Sequence, residues 1–146
     1  MKWMMKRSFS ISPGIVNSFM ILSGRSGHFN NSEGAGLIQL PTNGTFNLGN
    51  VTMNTGTVVD ISLPFSGSVS ALDVSLWWPE TSAVHNDVDV SLIDPSGSTV
   101  ASSISGVSIF ERIHVNTKVA GAWKIRLRSF SVSTSQPVFW TFVRRF

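Results

Sequence analysis

From Thr45 to the C-terminus, apolar and polar residues alternate with a period of two, the signature of strands that bury one face. The run Asn86-Asp87-Val88-Asp89-Val90-Ser91-Leu92-Ile93 puts Val88, Val90 and Leu92 on one face and Asp87 and Asp89 on the other. Asp94-Pro95-Ser96-Gly97 then predicts a turn, because Pro fixes φ at one corner and Gly accepts positive φ near the exit. Thr99 to Ala101 runs back as the hairpin partner. Trp123, Ile125 and Leu127 alternate with Lys124, Arg126 and Arg128, which predicts a half-buried strand with a basic outer face, fed by the turn Ala120-Gly121. The same reading gives strands at Thr45–Thr52, Thr57–Phe65, Leu72–Trp78, Ile109–Val115 and Val138–Val143. With the hairpin these make about eight short strands, at the spacing of an all-β antiparallel sandwich, and a jelly roll is the expected architecture. Val74, Leu76, Val88, Val90, Leu92, Trp123, Ile125 and Leu127 are the expected core.

Before Thr45 the pattern differs. Ser12 to Leu22 reads as a short helix: Ser12 can cap it, Pro13 suits the first turn, and Ile15, Val16, Phe19, Met20 and Leu22 form an apolar stripe. Arg25 to Gly36 is polar and glycine-rich, a loop by composition, and Leu37 to Leu40 is a brief apolar run stopped by Pro41. Met1 to Arg7 is basic, but Pro13, Gly14 and Asn17 interrupt the apolar residues beyond it, so the sequence predicts neither a signal peptide nor a membrane span.

Composition narrows the class. At 146 residues with 42% hydrophobic and 13% charged residues, the chain is long enough for one domain with a sizeable core and too apolar for disorder. A net charge of +3, with no basic run interleaved with aromatics, argues against nucleic acid as a partner. The absence of cysteine leaves the redox compartment open. Asn30, Asn43 and Asn50 head Asn-x-Ser/Thr triplets, which matter only on a eukaryotic secretory route.

The candidate chemistry is sparse. Gly24-Arg25-Ser26-Gly27-His28 resembles a nucleophile elbow but lacks the second Gly that the sharp turn needs. His28, His85 and His114 have no metal-ligand spacing, and His114 alternates outward from Ile113 and Val115. Asp87 and Asp89 share one strand face and Glu80 lies in the preceding loop, so Asp87, Asp89 and Glu80 form a candidate calcium site of the oxygen-rich loop-end kind; Asp94 is expected to be occupied by its own turn. The competing reading is a solvated strand face. Trp77, Trp78, Trp123 and Trp140 offer a sugar-binding platform if exposed, although strand tryptophans are mostly core residues.

Several of these segments together resemble a known family. Asn86-Asp87-Val88-Asp89-Val90 with Asp94-Pro95-Ser96-Gly97 is similar to the Asn-Asp-Leu-Asp-Leu…Pro-Asn-Gly hairpin in the β-sandwich that follows the catalytic domain of certain subtilisin-like serine proteases. Leu72 to Trp78, Glu111-Arg112-Ile113, Ala120 to Leu127 and Ser131 to Phe139 resemble other strands of that sandwich, in the same order. Ser12 to Leu22 and Ser32 to Leu40 resemble the helix and segment that close the catalytic domain, though Ala35 stands where an aromatic is usual and Asn17 in a region usually holding Lys or Arg. The family's catalytic Asp and His segments and its Gly-Thr-Ser-Met-Ala turn have no counterpart in this sequence.

The resemblance implies a division into residues 1–40, a remnant of the catalytic domain's end, and residues 41–146, a sandwich accessory domain. It implies a non-catalytic domain of a secreted, extracellular endopeptidase, partnered by a subtilisin-like catalytic domain and aiding the binding of protein substrate. The alternative is a stand-alone carbohydrate- or surface-binding module. On the first reading, the apolar stripe of the helix would face a catalytic domain absent from the chain and lie exposed.

Overall fold

The computed structural model describes residues 12–24, 43–81 and 83–146; the expectations for Ser26, His28, Asn30 and the run Leu37–Leu40 fall outside them. Eight strands follow one helix: α1 (Pro13–Ser23), β1 (Thr45–Met53), β2 (Val58–Phe65), β3 (Ala71–Trp77), β4 (Asp87–Ile93), β5 (Thr99–Ser103), β6 (Phe110–Asn116), β7 (Gly121–Ser131) and β8 (Gln136–Arg145). They pair into two antiparallel four-stranded sheets, ordered β1-β8-β3-β6 and β2-β7-β4-β5. Successive strands alternate between the sheets except at the β4–β5 hairpin, which is the winding of a jelly roll. The predicted elements therefore stand, with boundaries shifted by one to three residues.

The period-two alternation places the core. Val74, Leu76, Val88, Val90, Leu92, Trp123, Ile125 and Leu127 are all buried between the sheets, together with Trp78, Val138 and Phe142. Lys124, Arg126 and Arg128 point to the outer side of their sheet, as the register Val58↔Arg128, Asp60↔Arg126 and Ser62↔Lys124 requires. Gly121 begins β7 at φ +139°, a conformation that side chains disfavour, and a Cβ there would lie 2.7 Å from the Pro95 ring. The hairpin turn thus packs directly on the start of β7.

One expectation is corrected by the structure. The apolar stripe of α1 is not exposed: Ile15, Phe19 and Leu22 are buried, and Ile15 and Phe19 pack with Val16, Phe46, Leu48 and Phe139. The helix starts as predicted, with Ser12 Oγ accepting from the Ile15 N–H at 3.3 Å and Pro13 in the first turn. It lies on the outer face of the β1-β8-β3-β6 sheet, so close that a Cβ on Gly14 would fall 2.3 Å from the Phe139 ring. Buried polar groups tie it down: Ser18 Oγ and Thr141 Oγ1 are 2.6 Å apart, and the Ser75 hydroxyl donates to the Ser18 carbonyl at 2.5 Å. Helix α1 is why β3 is buried on both faces, Asp73 and Ser75 included. Among the described residues, no helix is long and apolar enough to cross a membrane.

Candidate functional site

Three arrangements bring chemistry-bearing side chains together. The first starts from Trp78, which ends a buried strand and must find a partner for its indole N–H. That partner is Glu80, whose Oε1 accepts from Trp78 Nε1 at 2.7 Å and from the Asn86 N–H at 2.6 Å. Glu80 Oε2 lies 3.0 Å from His85 Nδ1, and His85 Nε2 lies 2.9 Å from the Gly106 carbonyl. Both carboxylate oxygens are therefore engaged. The Glu80 carboxylate, with help from the Gly106 carbonyl, raises the pKa of His85 above the ordinary imidazole range. Asn86 continues the network: its amide donates to Gln136 Oε1 at 2.7 Å, and its own oxygen accepts from the Ser133 N–H at 3.0 Å.

The second arrangement is acidic. Asp87 and Asp89 share the outer face of β4, as the sequence predicts, and Glu111 comes from β6 to lie near them. Burial, and then repulsion from Asp87, push the pKa of Asp89 up. Glu111 is 2% exposed; burial pushes its pKa up, and the nearby Asp89 and Asp87 add to the rise. Its carboxylate accepts from the Ser103 hydroxyl and from the Ser105 N–H at 2.7 Å, which opposes that shift. Asp87 Oδ1 is buried, and no described residue gives it a hydrogen bond.

This geometry bears on the calcium expectation. Asp87 and Asp89 are brought together, and the orphaned Asp87 oxygen suits a cation. Glu80 instead spends its oxygens on Trp78, Asn86 and His85. Among the described residues, no group of three or more His, Cys, Asp or Glu side chains is arranged to hold a metal ion. Calcium takes about six to eight oxygen ligands, and this pair supplies only part of them. Asp94 is closed into its turn as predicted, its Oδ1 accepting from the Ser96 and Ser98 N–H groups at 2.9 Å each. The Ser96 hydroxyl and those amides hold its pKa below the ordinary value.

The third arrangement lies on the outer face of the β2-β7-β4-β5 sheet. Gly56, Val58, Arg126, Arg128, Ser129 and Phe130 line an open groove of about 320 Å³. Arg126 is held by Asp60 through two hydrogen bonds, of 2.7 and 2.8 Å, and the Arg126 guanidinium keeps Asp60 below the usual carboxylate range. Sequence reading treats this strip as a solvated basic face. The cue it overlooks is Arg128 and Phe130 two residues apart on one strand face, which stacks them.

The remaining sequence candidates are accounted for by structure. His114 is half exposed and lies 2.7 Å from the buried Asp73 carboxylate, which also accepts from Arg145 at 2.5 Å. Trp78 and Trp123 are buried, with Trp123 Nε1 donating to the Val119 carbonyl at 2.9 Å. Trp77 and Trp140 are half-buried, Trp77 against Phe139, so no described tryptophan forms an exposed sugar platform.

No protein family's sequence profile matches the chain, and no curated protein matches it. Solved structures similar to it include PliG of Aeromonas hydrophila, a periplasmic inhibitor of g-type lysozyme, at 7% identity and a TM-score of 0.48, covering 74% of this chain and 93% of that one. A β-1,3-glucan-binding module, CBM6 of Bacillus halodurans, is similar at 15% identity and a TM-score of 0.35, covering 71% and 87% of the two chains. The carbohydrate-binding module CBM36, in complex with calcium and xylotriose, is similar at 16% identity and a TM-score of 0.36, covering 66% and 86%.

Proposed function

We propose that this chain is a non-catalytic jelly-roll accessory domain of a secreted subtilisin-like serine endopeptidase, stabilising the catalytic domain and helping to hold protein substrate. The observation that carries the reading is the way the family-like segments lock together. Asn86, from the Asn-Asp-x-Asp run, hydrogen-bonds Gln136, from the segment leading into the last strand. Pro95, from the hairpin turn, packs on Gly121, from the Ala-Gly-x-Trp segment. Segments that carry a resemblance by their order alone would not need to meet; these meet in direct contacts between distant parts of the chain. Within this reading Asp87 and Asp89 are the carboxylates a calcium ion would bridge, with Glu80 outside the donor set.

The second reading, a stand-alone surface- or carbohydrate-binding module, is favoured by α1. Its stripe is covered by the chain's own sheet and requires no catalytic domain to bury it. Genomic sequence decides between the two. The first reading predicts a reading frame, continuous with or adjacent to this one, that encodes Asp, His and Ser triad segments. A locus without one would favour the module. Purified chain is expected to leave casein intact; cleavage abolished by a serine-directed inhibitor would overturn both readings.

A further inference from the structure

The outer faces of the two sheets are treated differently. Helix α1 covers that of β1-β8-β3-β6, whereas no described element packs over that of β2-β7-β4-β5. At one end of this open face sits the groove between the start of β2 and the end of β7. It is held in shape from below. Ser129 Oγ accepts from the Thr57 N–H at 3.0 Å and donates to the Asn54 carbonyl at 2.5 Å, while Thr55 Oγ1 both accepts from the Val132 N–H and donates to the Val132 carbonyl, each at 2.8 Å. The β1–β2 turn is thereby laced to the end of β7, and a ligand would meet a preformed surface.

The two arginines of the groove have different duties. Arg126 is neutralised by Asp60. Arg128 lies with its guanidinium 4.3 Å from the centre of the Phe130 ring, and no described residue hydrogen-bonds its N–H groups. Stacking on the ring fixes the guanidinium plane and leaves its donor edge free, the geometry that receives a carboxylate through two parallel bonds. Val58, 54% exposed, and Phe130, 49% exposed, give the groove apolar walls. Strand β2 is terminal in its sheet, so its outer edge offers unpaired backbone groups alongside.

We propose that this groove binds an acidic peptide segment in extended conformation. A Glu or Asp carboxylate sits on Arg128, an adjacent apolar side chain rests between Val58 and Phe130, and the peptide backbone runs beside β2. Charge complementarity selects the occupant: the ring positions an unpaired cation between apolar walls, and the chain as a whole is cationic. A sugar ligand fits less well, since no described tryptophan is exposed to stack on it. The inference deepens the substrate-holding half of the proposed function and rests on it only for biological context.

The test is an NMR and fluorescence-anisotropy titration of the full chain with a short peptide alternating Glu and Val, its Gln-for-Glu analogue, and an oligogalacturonate. The acidic peptide is expected to shift the amides of Gly56, Val58, Ser129 and Phe130. The Gln analogue is expected to bind about tenfold more weakly, since a charge-assisted bidentate pair is lost. Arg128→Ala should remove the preference for Glu, and Arg128→Lys should not restore it, because a point charge lacks the planar fork. An unchanged amide spectrum outside the groove shows that these variants are folded. The proposal is overturned if the groove amides do not move, if both peptides bind equally, if Arg128→Ala binds as tightly, or if the oligogalacturonate takes the groove in preference. Such failure would leave the stabilisation of a catalytic domain, which is read by enzyme half-life, untouched.

Discussion

Truncating Phe19 to Ala tests whether α1 is part of the folded domain. Phe19 is 1% exposed, and its ring centre lies 5.9 Å from that of Phe46, at the middle of the contact between helix and sheet. Burying an aromatic side chain of this kind contributes up to about 3 kcal/mol of transfer free energy. The cavity left by truncation adds to that, and buried Phe→Ala changes cost about 3–5 kcal/mol. The site is a small satellite of the main core, and the helix can relax toward the sheet, so about 2–4 kcal/mol is the expected loss. Urea unfolding followed by the buried Trp78 and Trp123 reads the global change, and hydrogen exchange at the α1 amides reads the local one. In the wild type, α1 amides near Phe19 should be protected well above those of the Ser96–Ser98 turn. A loss below about 0.5 kcal/mol, the range of an inert surface change, together with unprotected α1 amides in the wild type, would refute the docking of the helix.

Two further perturbations probe the acidic arrangement. The raised pKa of Glu111, caused first by burial, means that its contribution to stability is fully present below the ordinary glutamate range and is lost as pH rises through the raised value. Glu111→Gln keeps an amide oxygen for the Ser105 N–H and removes the buried charge, so it should flatten the decline in melting temperature from about pH 4 to pH 8. A profile that stays parallel to that of the wild type would contradict the assignment; the smaller decline due to His85, also raised, should persist in the variant. Calcium should raise the melting temperature by mass action and chelator should lower it, with the response lost in Asp87→Asn and retained in Asp60→Asn. A melting curve unmoved by calcium would mean that Asp87 and Asp89 face only solvent and one another.

The jelly roll is legible because its strands bury one face each. Period two locates Val88, Val90, Leu92, Trp123, Ile125 and Leu127 without any knowledge of their partners. What the pattern cannot carry is coverage from outside a sheet. Asp73 and Ser75 read as a polar outer face, yet both are buried, Ser75 beneath a helix more than fifty positions earlier. The helix itself is equally readable from Ser12, Pro13 and its stripe, but a stripe does not say which surface receives it. At the site, the pairing of Asp87 with Asp89 follows from alternation. The diversion of Glu80 does not, since it depends on the indole N–H of Trp78 being buried and in need of an acceptor. Glu111 is recognisable only as a family-like strand residue until β5 and β6 come together and place Ser103 against it.

The central claim, that this sandwich serves a subtilisin-like catalytic domain, is tested most directly by mixing the chain with a subtilisin-like endopeptidase from which its own C-terminal sandwich has been removed. The measurement is the half-life of caseinolytic activity at elevated temperature, with complex formation followed by size-exclusion chromatography. The account predicts that the two proteins co-elute and that the half-life lengthens with added chain until the catalytic domain is saturated. Separate elution with an unaltered half-life would contradict it.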